Sequence, residues 1–373
     1  MALLTGIWDW RVQTGIIDER MKPNGFLRNL IFGDRFNLNA AENLEITVYQ
    51  GGRSIAPFVK KGSAAQLIRG YGDVTRVITP PMLRNKMEFE PHKYLDRAPA
   101  GVVSILGQGE QGGIARAAKE KMRRDAEAMN NYADDAEEFL VGMMLGNAAG
   151  TSTLEYNVAM GAGEETTQYQ LTYPRSTENL VTLTGTDQWD NAAMPDPAIA
   201  IRTAKTRLAE VGMTPTVCIM GSDVGAAFVA NTKVTANLDV RRLNQAGPVM
   251  LGGQMPPGFE GATYEGEYAG LPMWTYDRKV NILGPDGAVK KADHDIIDPK
   301  SCYILSVTDK AQFSMEYGGI RDMEALELDI LETRRFMKAW TENDPSGAWK
   351  LMESHPLPVP GQVDSVVQIL AVS

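Results

Sequence analysis

Apolar residues recur between positions 113 and 145 at Ile114, Ala118, Met122, Ala126, Met129, Ala133, Ala136, Leu140 and Met143, in steps of three and four. That period places them on one stripe of a helix. At a rise of about 1.5 Å per residue such a helix is about 50 Å long, and Gly146 supplies a stop. Elsewhere the period is two. Leu44–Val48 and Asp73–Ile78 alternate and carry β-branched residues, which predicts strands. Between them, Gly51-Gly52-Arg53 through Lys60-Lys61-Gly62 is polar and glycine-rich. So long a hairpin buries little of itself and calls for a partner surface.

Strand patterns return at Leu154–Val158, Tyr169–Thr172 and Val181–Leu183. Met194-Pro195-Asp196-Pro197 then introduces a helix over Ala198–Val211. Thr216–Met220 reads as a buried strand, and Gly221-Ser222-Asp223 opens a helix over Val224–Ala230 with Ser222 or Asp223 as its cap. A third short helix is expected over Asn237–Gln245. Residues 247–270 are rich in glycine and proline, Leu271–Tyr276 is apolar, and Ser301–Val307 is expected to close this mixed α/β unit. The tail alternates at Ala325–Ile330 and passes through Asn343-Asp344-Pro345 and the proline-punctuated His355–Pro360. It ends in a strand at Val366–Leu370.

Composition narrows the function. With 37 Lys and Arg against 47 Asp and Glu, the 373-residue chain carries a net charge of −10. That disfavours a binder that recruits nucleic acid by its own charge. Cys218 and Cys302 are too few for a disulfide framework or a cysteine-rich zinc site. His92, His294 and His355 are scattered, which disfavours a histidine-based metalloenzyme. Asp293-His294-Asp295 could ligate a metal, but it follows Gly284-Pro285-Asp286-Gly287 and reads better as a solvated turn. The start of the chain does not read as a signal peptide, and the apolar run near 139–145 is far shorter than the ~20 residues that span a bilayer. A cytosolic protein with reduced cysteines and no membrane partner is expected.

The long helix carries its charges against its dipole. Arg116, Lys119, Lys121, Arg123 and Arg124 lie in the first half; Asp134, Asp135, Glu137 and Glu138 lie in the second. Two readings are open: a solvated face, or basic and acidic halves that pair with neighbouring copies.

Gly107-Gln108-Gly109-Glu110-Gln111-Gly112 fits G-x-G-x-x-G, follows the apolar Val102–Leu106 and opens a helix. A dinucleotide site also needs an acid ending a second parallel strand about twenty residues on. Here Glu127 falls inside the long helix, so Gly107–Gly112 reads better as a hinge, with a dinucleotide-binding oxidoreductase as the other-class alternative. No P-loop is present, and Gly221-Ser222-Asp223-Val224-Gly225 has the wrong spacing for a nucleophile elbow. The 19 methionines read as core filler. No catalytic, cofactor-binding or metal-ligating residue is assigned. What remains is an arm, a long hairpin, a very long helix and an α/β lobe. Such parts are expected when burial happens between copies.

The chain resembles the lambda-type major capsid proteins of tailed bacteriophages, the capsid protein E family. The likeness runs through Phe26–Phe32, Asn43–Ile46, Ile55–Val59, Leu67–Gly70 and Thr79-Pro80-Pro81, resumes at Asp239–Arg242, and is clearest at Asn343-Asp344-Pro345, Glu353–Pro358 and Val366–Leu370. The region from Tyr156 to Leu183 is longer than the family pattern. The resemblance implies an α+β chain with the Hong Kong 97-like phage capsid fold: N-terminal arm 1–43, extended loop 44–91, peripheral domain 92–194 with spine helix 113–145, axial domain 195–307, and a return to the peripheral domain over 308–373. It implies a non-enzymatic protein of the virion that forms pentamers and hexamers. Its partners would be a decoration protein, a scaffolding protein, a portal, and double-stranded DNA held without sequence-specific contacts. Some relatives crosslink a loop lysine to a neighbour, a role open to Lys60 or Lys61. Encapsulin nanocompartments share a related fold and form the rival shell reading.

Overall fold

The computed structural model describes residues 25–50, 72–89, 113–147, 149–159, 166–236, 261–283, 289–327, 329–343 and 346–373. Gly107–Gly112, Lys60, Lys61, His92, the helix expected over 237–245, Asp239–Arg242, Asp344 and Pro345 lie outside these residues.

A short helix, α1 (Phe26–Ile31), buries Phe26, Leu27, Arg28 and Ile31. Strand β1 (Phe36–Leu38) follows. Strands β2 (Leu44–Gln50) and β3 (Gly72–Ile78) then pair antiparallel from Leu44↔Ile78 to Gln50↔Gly72. Their alternation is real: Leu44, Ile46 and Val48 all turn inward. Strand β4 (Leu83–Phe89) is absent from the sequence expectations, because its charged side chains mask the period. It leaves the hairpin and joins a different sheet. Helix α2 (Gly113–Leu145) spans the predicted 33 residues. Strands β5 (Thr153–Ala159) and β6 (Thr166–Thr172) form a second hairpin.

The α/β lobe begins with β7 (Leu180–Thr182) and α3 (Pro197–Glu210). Asp196 caps α3, its Oδ1 accepting from the Ala198 amide at 2.9 Å, with Pro197 in the first turn. Then come β8 (Val217–Met220) and α4 (Ser222–Ala230). The expected cap of α4 is corrected: Gly221 holds the N-cap position without a side-chain bond, and the Ser222 hydroxyl donates to Asp223 instead. Strands β9 (Ala262–Tyr268) and β10 (Leu271–Tyr276) pair antiparallel with a register shift after Met273. Thus the glycine- and proline-rich stretch ends in a strand whose glycine hid it from the period-two pattern. Strands β11 (Lys279–Leu283) and β12 (Val289–Asp295) form a ribbon. Asp293-His294-Asp295 is therefore strand, not turn, and His294 faces Phe139 edge-on at 5.5 Å.

Strand β13 (Ser301–Leu305) is followed by β14 (Phe313–Tyr317) and α5 (Met323–Glu327). Alternation over Ala325–Ile330 suggested extended chain, and that is corrected. Asp322 Oδ1 accepts from the Glu324 amide at 3.0 Å and starts a helical turn. Strands β15 (Phe336–Asn343) and β16 (Ser346–Ser354) pair antiparallel, with β4 on the far side of β16. Strand β17 (Pro356–Pro360) is fully buried despite three prolines. It pairs only with β14, in the order β1-β14-β17. The Gly318 amide donates to the His355 carbonyl at 3.0 Å and the Gly361 amide to the Gln312 carbonyl at 3.1 Å. The odd-numbered positions therefore face β14, and the prolines turn their missing N–H outward, as an edge strand permits. On that outer edge the Tyr173 hydroxyl donates to the Pro358 carbonyl at 2.6 Å.

The last strand, β18 (Val366–Leu370), enters the six-stranded sheet β7-β18-β13-β8-β10-β9. Ser301–Val307 consequently does not close the α/β unit; the end of the chain does. This sheet separates two cores. Tyr303, Leu305 and Val366 face α1, the end of α2, β14 and β17. Cys302, Ile304, Val367 and Ile369 face α3 and α4. Gly142 lets α2 rest directly on the backbone carbonyl of Ile296, where a Cβ would collide. Gly142→Ala is expected to cost about 1–3 kcal/mol through forced displacement of the helix; chemical denaturation of unassembled subunits measures it.

Candidate functional site: a buried charge junction on the long helix

The second half of α2 places Asp134 and Glu137 on one line and Asp135 and Glu138 on the next, each pair three residues apart. Neither reading of this acidic half survives. It is not a solvated face, since Glu137 and Glu138 are 0% exposed. Nor does it wait for a neighbouring copy, because its partners lie within the same chain.

The first line meets the tail. Arg335 Nη2 donates to Glu137 Oε1 at 2.8 Å and to Asp134 Oδ1 at 2.6 Å. Arg334 Nη2 reaches Glu137 Oε2 at 2.9 Å. Arg28, from α1, lies 3.2 Å from the same oxygen. Arg28 and Arg335 are themselves buried, at 4% and 2% exposure. Burial would raise the Glu137 pKa, but Arg335, Arg334 and Arg28 outweigh it and hold the carboxyl at about 2.

The second line meets α1 and the lobe. Glu138 accepts from the Leu27 amide at 2.7 Å, the Arg28 amide at 3.0 Å and the Tyr276 hydroxyl at 2.8 Å. One carboxylate thus satisfies two orphan amides at the start of α1, a cap supplied by a distant helix. Burial outweighs these donors and leaves the Glu138 pKa above its ordinary value. Gly25 is required here, since a Cβ would strike the Glu138 carboxylate. Beside it, Arg278 Nη2 pairs with Asp135 Oδ1 at 2.5 Å.

The end of α2 is anchored independently. Its last turn has no basic residue, and Arg175 supplies one: Nη2 donates to the carbonyls of Leu145 at 2.6 Å and Met144 at 3.2 Å. Burial pulls Arg175 down to about 10. The Tyr303 hydroxyl donates to the Gly146 carbonyl at 2.8 Å, and Gln368 Nε2 to the Asn147 carbonyl at 2.8 Å. A further set joins β4 to the tail: Arg84 reaches Glu353 at 3.3 Å and Asp322 at 3.5 Å, while Lys338 pairs with Asp322 at 2.5 Å.

The arrangement does mechanical work: it fixes four distant parts of the chain to one helix. Arg28, Arg175, Arg278, Arg334 and Arg335 were not singled out by sequence. The available signal was Glu137-Glu138 sitting against the apolar run Phe139–Leu145. Cys218 and Cys302 are buried free thiols with Sγ atoms 3.1 Å apart on β8 and β13. Among the described residues, no group of three His, Cys, Asp or Glu is arranged to hold a metal. No described helix is long and apolar enough to cross a membrane.

A family model described as phage major capsid protein E matches residues 9–371. The major capsid protein of Escherichia phage lambda is 22% identical over 355 residues, covering 94% of this chain and 95% of that protein. A crystal structure of a prophage capsid protein from E. coli CFT073 superposes with a TM-score of 0.62 at 16% identity, over 99% of this chain and 98% of that one. The latter is a likeness of fold.

Because Glu137 is depressed from 4.5 to about 2, its contribution to stability is present above pH 4.5 and is lost as pH falls towards 2. Glu137→Gln is expected to lower stability at pH 7 by about 3–5 kcal/mol, as for a broken buried pair. It should also flatten the acid limb of a stability-against-pH profile; parallel wild-type and variant profiles would contradict the assignment.

Proposed function

The chain belongs to the phage major capsid protein E family, and from that premise we propose that its copies close, as pentamers and hexamers, into the icosahedral shell around the double-stranded DNA of a tailed bacteriophage. It is a structural protein of the virion. The observation that carries the shell reading is the family match over residues 9–371, nearly the whole chain. The architecture is consistent with it: β2 and β3 pair over seven residues each and are separated by the 21 residues 51–71.

In this reading residues 1–43 are the arm and 44–91 the extended loop. Residues 92–194 form the peripheral domain around α2, residues 195–307 the axial domain, and 308–373 the return. The return meets the extended loop and the lobe, since β15 and β16 join β4 while β18 lies in the lobe sheet. The junction then has a function. Subunits in a shell are pulled at their edges, and a helix pinned to arm, lobe and tail by buried ion pairs passes load between them.

Assembly takes place in the host cytoplasm, guided by a scaffolding protein and a portal, and a decoration protein reinforces the finished shell. DNA enters by a motor and makes no sequence-specific contact. The net charge of −10 suits a wall along which the genome slides instead of adhering.

Electron microscopy of the protein expressed with its neighbouring genes tests this. Closed shells holding nuclease-protected double-stranded DNA are expected. Monomers under every assembly condition, or shells filled with protein cargo and no DNA, would contradict it.

A further inference from the structure

Strands β8 and β13 are the two central strands of the six-stranded sheet, and each carries one of the chain's two cysteines. Their register pairs Cys302 with Met220 and Cys218 with Ile304. The cysteines are therefore diagonal neighbours on the face that α3 and α4 cover. Both are fully buried, and their Sγ atoms lie 3.1 Å apart. A covalent S–S bond is about 2.05 Å long, so roughly 1 Å of approach separates this contact from one. No other cysteine stands in the chain, so a bond within one subunit can join only this pair. As core filler, two thiols need only burial. Sulfur against sulfur on adjacent strands is a further condition, and it is the one a disulfide requires.

We propose that Cys218 and Cys302 form an intrachain disulfide that ties β8 to β13 when the protein meets a small-molecule disulfide under oxidising conditions. The exchange takes two steps. One cysteine thiolate attacks the small disulfide, forms a mixed disulfide and expels a small thiolate. The second cysteine sulfur then attacks the protein sulfur of the mixed disulfide, closes the Cys218–Cys302 bond and expels the other small thiolate. The two small thiolates take up the two protons that the cysteines lose. The cysteines give up two electrons, and the small disulfide gains them.

Burial and the neighbouring Cys302 thiol push the Cys218 thiol well above its usual range, and the thiolate is the species that attacks. The exchange therefore waits for the sheet to open locally, which makes it slow in the folded subunit. The closed loop, residues 218–302, contains α4 and β9–β12. The bond keeps these elements tied to the centre of the sheet when its hydrogen bonds yield. It belongs to the folded chain and needs no assembly. Under the shell reading, the reducing host cytoplasm keeps the thiols free and the bond forms after release.

The test equilibrates full-length unassembled subunits with glutathione buffers of rising oxidised share. One series is held in urea below the unfolding transition and one above it; samples are quenched with acid and weighed intact by mass spectrometry. In the folded series a mass lower by two hydrogen atoms is expected, and digestion without reduction should release one peptide pair joined through Cys218 and Cys302. The folded chain should reach half oxidation at an oxidant ratio about a hundredfold to a thousandfold lower than the unfolded chain, by the loop-closure entropy and its reciprocal. Free thiols at every ratio in the folded series, glutathione adducts that do not resolve, dimers bonded between chains, or equal midpoints in the two series would overturn the proposal. All of these leave the shell reading standing, because electron microscopy of particles tests that separately. In a second arm, reduction should lower the melting temperature of the oxidised wild type by about 5 °C. It should leave Cys302→Ala and Cys218→Ala unchanged, since neither can form the bond. Equal melting temperatures for oxidised and reduced wild type would contradict the tie.

Discussion

One buried carboxylate governs the architecture. Glu137 cannot reach water, and three guanidinium groups from opposite ends of the chain surround it: Arg28 from the start, Arg334 and Arg335 from the tail. A charge in that position is tolerable only with all of its partners in place. The helix, the lead-in segment and the tail therefore form one unit or none. Glu138, one residue on, repeats the constraint with hydrogen bonds, holding the first amides of α1 and the Tyr276 hydroxyl of the lobe.

The apolar cores follow this frame. The face of the six-stranded sheet towards α2 is filled by α1, β14 and β17, elements that the junction positions. The other face is covered by α3 and α4, with Ala371 and Val372 of the tail packed into the same core. Strands β8, β9, β10, β13 and β18 each contribute side chains to both.

Much of this was legible in the sequence, and the rest was hidden for identifiable reasons. The 33-residue helix has a strong period because a long stripe of it is buried. Strands β2, β3, β8 and β18 announce themselves by β-branched alternation. Strand β4 was concealed by Arg84, Lys86 and Glu88 on its outer face, and β17 by prolines that only its one-sided pairing to β14 excuses. Alternation at Ala325–Ile330 misled because Ala325 packs with Ile320 and Phe336 while Leu326 stays exposed, a contrast that the short helix Met323–Glu327 produces as readily as a strand. The junction was hidden for a deeper reason: a single sequence shows four acids on a helix, but not that arginines 109 and 197 residues away come to meet Glu137. The likeness to lambda-type capsid proteins, read from sparse residues near both ends, pointed to the fold more directly than any local pattern did.

The junction couples the lead-in segment to the tail through Glu137. Native-state hydrogen exchange on unassembled subunits, wild type against Glu137→Gln, measures this at single amides. Coupling through Glu137 predicts that amides of α1 and of Phe336–Met337 lose protection together, by similar factors, although the two segments do not adjoin in sequence. Loss confined to residues around 134–138, or to one of the two segments alone, would contradict it.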